Sequence, residues 1–551
     1  MIKSLKKRLN LDLVKNAFLL IALFTVLFYT GCASLQTPDG GPRDTIPPKV
    51  IEEMPKNLSR NFKGKKIDIT FDEYFKLSNE YQEITISPET GIAPTFKVKK
   101  KTLEIDFKDS LENNTTYSIH FGKAIQDVNE SNILKNFSFV FATGPKLDSL
   151  QISGKVISSQ DNQPVLDATV FLFPLKKDSL FGKKKPSIYT STDSSGNFSL
   201  KNLREDTYRI YALKETGADR IYNSPNEDIA FLKDSIFLNK DTSNISLKLF
   251  KQVAENFRIL DRRIEKDGKI NLYFNKPLEK PSITFIDAPT IKNPIIDFSS
   301  KGDTVHLWLR DYSFDSLKVA INNYDKVLDT VTLRRSLKDT YNRTILFNNN
   351  LSGGKIVPGK PLTLTFNLPI SSINASKVVL TEDSISKSGF TIKKLLPSEL
   401  KYQIDFPWKT KKRYTLSFNE GAIEDIYGTK NKDLKLDFEL DEIENYGNLS
   451  LNLIKEDSLK NYIVQLLVGK ENNIYKEFVI TKNATVNINN IPTNTYKVRV
   501  IEDANNNGKF DSGNVRLKIQ PEKVWFWDKT IVTRANWDRE EKIAIPKDFK
   551  D

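Results

Sequence analysis

The chain has 551 residues, a formal net charge of +13, and 28% charged against 39% apolar residues. One cysteine and two histidines exclude an internal disulfide and Cys-based zinc sites, and leave little for histidine chemistry. Charges of both signs at this density serve solubility first, with a mild preference for acidic surfaces such as lipid headgroups or anionic glycans.

The first 15 residues carry Lys3, Lys6, Lys7, Arg8 and Lys15. An apolar run of 13 residues, Ala17 to Tyr29, follows, broken only by Thr25. A spanning helix needs about 20 residues. Thr30 and Gly31 then bring small residues to Cys32. A basic start, a short apolar core and a small-residue end predict a secretory signal peptide over 1–31. Its removal takes away five basic residues and one acidic residue, Asp12, and lowers the net charge by four.

Thr30-Gly31-Cys32 resembles the lipobox of bacterial lipoproteins, with Tyr29 where that family usually has an aliphatic residue. The resemblance implies cleavage before Cys32 and a lipid on its thiol. Several acyl chains, at roughly 0.8 kcal/mol per buried CH₂, would anchor the protein stably. The alternative is an ordinary signal peptide with an incidental cysteine. Residues 32–48, rich in Pro and Gly, predict a flexible tether. Ala33 in place of an acidic residue implies, by resemblance to the usual sorting rules, outer-membrane delivery, with the body on either face.

Beyond the tether, apolar residues alternate in short runs punctuated by Gly, Pro, Asn and Asp, as in KIDITFDEYF (66–75) and NLSLNLIKE (448–456). This is the strand pattern, and about 520 residues of it predict three to five β-sandwiches in series. The chain also repeats itself. Residues 100–143 align with 399–440, each with an IDF strand, then TYSIHF or RYTLSF, then Ala-Ile and an acidic turn. A degenerate middle copy runs through GKINLYFNKPLE (268–279) and DTVHLWLRD (303–311). These segments resemble the bacterial Ig-like domain of the S-layer-protein type, whose Asp-x-x-Gly-Asn turn survives as Asp425, Gly428 and Asn431. The first copy has Glu130 where Gly is usual.

A second repeat alternates with the first. Residues 150–215, with Gly154, Pro164, Asp193, Gly196, Phe198 and Tyr208, resemble the carboxypeptidase regulatory-like or transthyretin-like domain, an accessory sandwich without the peptidase's metal machinery. Residues 202–227 align without gaps to 490–515, Tyr208 meeting Tyr496 and Tyr222 meeting Phe510. The predicted order is Ig-like 49–145, transthyretin-like 150–250, Ig-like 251–346, Ig-like 347–443 and transthyretin-like 444–551. The fold class is all-β.

Few constellations carry chemistry. In DANNNGKFDSGN (503–514), Asp503, Asn505, Asn507, the Lys509 carbonyl and Asp511 take the oxygen-ligand positions of a calcium loop, with Gly508 at its sharp turn. Asn514 stands where the bidentate Glu belongs, which predicts weak Ca²⁺ affinity, or else a polar turn closed by Asx bonds. The copy at 215–226 has Gly217 and Arg220 in place of Asn505 and Gly508, and predicts no metal. GKIVPGKP (354–361) imitates a phosphate loop but has Pro361 for Ser/Thr and a strand pattern after it. His120 and His306 lie in different Ig-like copies as outward strand residues, and Asp68 and Asp72 share a solvated face, so no catalytic set assembles. Trp525, Trp527 and Trp537 offer a platform for sugars or a partner, or else fill a core or a seam. The basic runs 97–101 and 181–186 lack interleaved aromatics and predict loop tips, with no nucleic-acid partner.

The arrangement, with Gly40 to Pro48 (GGPRDTIPP), resembles Ig-like-domain lipoproteins of Bacteroidota. That implies a non-catalytic, outer-membrane, lipid-anchored scaffold or adhesion module with an envelope protein partner, in one variant an accessory subunit of an export or assembly machine. The alternative is a glycan-binding or carbohydrate-active surface lipoprotein.

Overall fold

The computed structural model describes residues 44–549 other than 218, 287–290 and 337. They form five β units joined in sequence by short connections, each round its own apolar core, with only short helical turns between strands; in the second unit the strands run as one continuous eight-stranded sheet. The all-β reading holds because alternate side chains do face a core. In domain 1, Ile67, Ile69 and Phe71 are fully buried, and Leu103 and Ile105 meet them from the neighbouring strand. The opposing sheet contributes Tyr117, Ile119, Phe121, Phe139 and Phe141.

Domains 1, 3 and 4 repeat one topology. Each has a four-stranded sheet in which the first strand pairs the second, the second pairs the fourth or its equivalent, and that strand pairs the preceding hairpin arm. In domain 1 the order is Val50–Met54, Lys66–Phe71, Thr102–Asp106, Thr95–Lys99. In domain 4 it is Phe347–Asn349, Leu362–Phe366, Lys401–Asp405, Thr391–Lys394. The repeat extends to single bonds. The Tyr117 hydroxyl accepts from Glu112 N (2.9 Å) and the Tyr414 hydroxyl from Lys409 N (2.8 Å), five residues upstream in both. The acidic turns differ by one residue. Positive φ falls on Gly428 in domain 4 but on Ser131 in domain 1, so Glu130 itself escapes the left-handed region.

Domains 2 and 5 share a second topology, in which the first strand pairs the last in parallel: Leu150–Ser158 with Thr242–Lys251, and Tyr446–Lys455 with Asp538–Ile545. Their aligned tyrosines repeat a bond. Tyr208 OH donates to Arg204 O and Tyr496 OH to Pro492 O, both at 3.0 Å. The strand Thr169–Pro174 is apolar on both sides. Val170 and Leu172 enter the domain core, while Phe171 and Phe173 join Tyr189, Tyr211, Phe231 and Phe250 in an aromatic cluster on the outer face.

That outer face is covered by domain 5, which folds back across two intervening domains. Val515, 1% exposed, belongs to the domain 2 cluster, and its N–H donates to Gln252 Oε1 at 2.9 Å. A Cβ on Gly513 would lie 2.7 Å from Phe250 Cζ, so only glycine permits the approach. Gln520 Nε2 donates to Phe231 O (2.8 Å) and Lys518 Nζ to Tyr211 OH (3.0 Å). Domains in series along the sequence are therefore not a simple row in space. Trp308 of domain 3 is likewise buried in the core of domain 4, and Arg343 stacks 3.6 Å from the centroid of the Tyr427 ring.

Val515→Asp removes an apolar contact worth about 1.5–3 kcal/mol and places a charge against the aromatic cluster. The expected result is release of domain 5 from domain 2, read as a larger radius of gyration in small-angle scattering with unchanged strand content by circular dichroism.

Candidate functional site

The two aligned loops after the strands Asp206–Lys214 and Thr495–Asp503 are the places where chemistry-bearing residues gather. They share a frame. Arg220 N donates to Glu215 Oε1 and Gly508 N to Asp503 Oδ2, both at 2.9 Å, and the donors have positive φ, +57° and +71°. A side chain at that position is strained, and in domain 2 it is an arginine.

Arg220 explains the departure. Its guanidinium crosses into domain 1, pairs with the Glu83 carboxylate and donates to Gln82 O. Both partners are buried. The guanidinium lies 4.1 Å from the Tyr189 ring centroid, and Tyr189 OH donates to Glu83 O. Glu83 Oε2 also accepts Lys123 N–H at 3.0 Å. The basic run 181–186, predicted as a loop tip, joins the same seam. Lys185 Nζ donates to Tyr81 O (2.6 Å) and Gln82 O (3.1 Å), and Lys184 pairs with Glu89 at 2.8 Å.

Beside this seam lies a cleft of about 830 Å³ between domains 1 and 2, lined by Ser118, His120, Ser138, Tyr189, Ser199 and Lys201 among others. His120 faces away from its own core, as an outward strand residue does, yet domain 2 covers it. Its Nδ1 shares a 2.8 Å hydrogen bond with Ser138 Oγ, and its ring centroid is 6.0 Å from that of Tyr189. Burial pushes its pKa down to about 4, so it is neutral at ordinary pH. His306 is half-buried in domain 3 and shares a 2.7 Å hydrogen bond with Asn271 Oδ1. The histidines thus sit apart, each with a polar side-chain partner.

In the 503–511 loop, Asp503 Oδ1 accepts Asn507 N–H (3.0 Å) while Oδ2 holds Gly508. Asn505 Nδ2 and Asn507 Nδ2 both donate to Asp511 Oδ2, at 2.5 and 2.7 Å. Glu522, from outside the motif, accepts from Ala504 N and Asp511 N, both at 2.9 Å. Burial, with Asp511 and Asp503 nearby, pushes the Glu522 carboxyl upward. Asn505, Asn507 and Asp511 converge as a calcium loop requires. A cation there would need both amides turned to present oxygen, since each now presents nitrogen. No group of three or more His, Cys, Asp or Glu is arranged for a metal among the described residues.

The three tryptophans do not share one surface. Trp525 and Trp527 pack against the core of domain 5, Trp525 stacking on Phe549 at 6.0 Å, while Phe526 joins a cluster on the other face. Trp537 is 61% exposed beneath Arg534. In the phosphate-loop imitation, the strand Leu362–Phe366 follows Pro361, so no helix N-terminus is present to hold an anion. Asp68 pairs with Lys66 (3.0 Å) and Asp72 accepts Lys49 N–H (2.7 Å), with no shared task. Cys32, and all of the tether before Asp44, lie outside the described residues.

Residues 44–143 match the bacterial Ig-like domain family. The chain is therefore an all-β, multidomain protein led by a bacterial Ig-like domain. No curated protein matches the chain. Solved structures that match the chain include the major pilin subunit BcpA of Bacillus cereus (9% identity, 72% of this chain and 99% of that one, TM-score 0.14). Another is the S-layer protein rSbsC (11% identity, 88% and 67%, TM-score 0.15). A third is the Bacteroides ovatus mixed-linkage glucan utilization locus protein SGBP-B in complex with a mixed-linkage heptasaccharide (13% identity, 61% and 87%, TM-score 0.18). At such TM-scores they say nothing of function.

Arg220→Met leaves the Glu83 carboxylate buried and unpaired, a loss of about 3–5 kcal/mol, whereas adding Glu83→Leu to it restores most of that. Urea denaturation of the two variants, with proteolysis of the 143–149 connection as a second readout, checks the difference. Burial and the nearby Asp219 and Glu227 push the Glu215 carboxyl up to about 7, against the bond from Arg220 N–H. Folding therefore favours the protonated acid. Its contribution is retained below the ordinary value of 4.5 and is lost as pH rises to about 7. In Glu215→Gln, melting temperatures across this window should fall less with pH than in the parent protein.

Proposed function

We propose that this chain is a non-catalytic, lipid-anchored module of the bacterial outer membrane that holds an envelope protein partner. One observation carries the scaffold part of the reading. The sandwiches are locked to one another through buried contacts, Arg220 with Glu83 and Val515 with the Phe250 cluster. Locks of this kind hold distant surfaces in fixed relation, which a scaffold needs and a string of loosely tethered binding domains does not. The tether rests on sequence: a short apolar leader, then Thr30-Gly31-Cys32. The rival glycan reading loses most of its platform, because Trp525 and Trp527 are turned to the domain core and Trp537 alone stays exposed.

Affinity purification of the full chain from detergent-solubilised envelopes, with mass spectrometry, tests the reading. A specific envelope protein should co-purify, and Cys32→Ser should move the chain out of the membrane fraction. A membrane fraction unchanged by Cys32→Ser, or no protein above background, defeats it.

A further inference from the structure

Domain 3 carries a charged groove that the reading above does not use. Its two sheets end on one flank in the strands Ile259–Ile264 and Lys326–Arg334, each the terminal strand of its sheet. Between and beside them opens a groove of about 1070 Å³, lined by Arg262, Lys266, Thr330, Thr332, Arg334 and Lys338, with Tyr341 among the remaining walls.

The four cations are exposed, and none is in an ion pair among the described residues. The two acids at the groove are engaged elsewhere. Asp339 Oδ2 accepts Ser336 N–H at 3.0 Å, and Glu265 Oε1 accepts from Asn271 Nδ2 at 2.8 Å. Those donors are neutral, so both carboxylates keep their charge, but five cations, Arg335 included, against two acids leave the lining net positive by three. The buried Tyr341 hydroxyl has no hydrogen-bond partner among the described residues.

We infer that this groove seats an extended acidic segment of a partner protein, a claim that rests on the partner-holding reading and names the partner's contact chemistry. Four features choose a polypeptide over the other polyanions. The walls are sheet edges, whose outward main-chain N–H and C=O groups match an added strand. Thr330, Thr332 and Arg334 alternate with the core residues Val331 and Leu333, so an added strand would meet a side chain at every second position. The Tyr341 ring has Arg335 and Arg343 each 5.3 Å from its centroid, which leaves it poorly placed to stack on a sugar. A groove is also concave, where a bilayer surface needs a flat or convex face. The acidic side chains of the guest would meet Arg262, Lys266, Arg334 and Lys338, and attraction of this kind steers encounter and fixes register.

The test uses the full chain in detergent and a fluorescein-labelled oligo-glutamate peptide, read by anisotropy. Binding is expected to weaken as salt rises from about 0.01 M to about 1 M, which shortens the screening length from ~30 Å to ~3 Å. Arg262→Glu with Arg334→Glu should weaken it by roughly tenfold or more. Lys97→Glu with Lys100→Glu, an equal charge change on a hairpin of domain 1, should leave it within about twofold. If the arginine pair perturbs folding by circular dichroism, Lys266→Glu with Lys338→Glu tests the same field from beside the strands. Absent binding, equal loss in the domain 1 control, tighter binding of a polygalacturonate oligomer, or groove-dependent binding to anionic vesicles would each overturn the inference. The parent reading is separated by repeating the envelope purification with the arginine pair. A partner retained at full yield removes the groove and leaves the scaffold standing.

Discussion

One buried ion pair governs how the first two sandwiches meet. Glu83 and Arg220 come from different domains, and neither keeps appreciable contact with water. Desolvating two charges is expensive, so the pair persists only where further polar groups complete it. Here they do. Gln82 O accepts from the guanidinium, Lys123 N–H donates to the carboxylate, and the Tyr189 ring covers the cation. Lys123 and Tyr189 each belong to the same domain as the charge they contact; the bonds that cross, from Arg220 to Glu83 and Gln82 O and from Tyr189 OH to Glu83 O, form only in one orientation, and the seam selects it. An apolar seam of the same area would tolerate sliding.

The second constraint is apolar and acts at longer range. Strands buried on both faces have no solvent side, so they read as continuous apolar runs such as TVFLFP and NYIVQLLV. In domain 2 the outer face would be an exposed aromatic patch if domain 5 were absent. Domain 5 supplies Val515, and Gly513 lets the backbone come close enough to seat it. The ion pair and the valine both meet the aromatic cluster of domain 2 that holds Tyr189, and together they make that domain the hub of the arrangement.

Much of this was legible in the sequence, and what was not has a common cause. Alternation placed Ile67, Ile69 and Phe71 in a core because period two is a local property of a strand. The repeats predicted shared topology, and Tyr117 with Tyr414 and Tyr208 with Tyr496 repeat their bonds. The partner of Arg220 was hidden, since nothing in 215–226 points to a residue 137 positions upstream. His120 lies on the outward face that alternation gives it, while the ring beside it, Tyr189, belongs to another domain and is not legible from the strand itself. Lys184 and Lys185 do lie in a loop, and what local sequence does not show is that this loop seats on domain 1. One signal was available. An arginine at a position its repeat gives to glycine, in a conformation that side chains resist, marks a residue retained for a contact elsewhere.

That arginine also shows how one loop came to do two jobs. Both copies keep the bond from the left-handed residue to the acid at the loop's start, so the backbone frame does not depend on what the loop reaches. In domain 5 the frame holds Gly508 and closes inward, Asn505 and Asn507 turning to Asp511, and docking is left to the segment beyond, around Val515. In domain 2 the same position turns outward and docks directly. Replacing glycine there costs about 1 kcal/mol or more in backbone strain, which is small beside an uncompensated buried carboxylate. Once Glu83 is buried opposite the loop, arginine at 220 is the stable choice despite its φ.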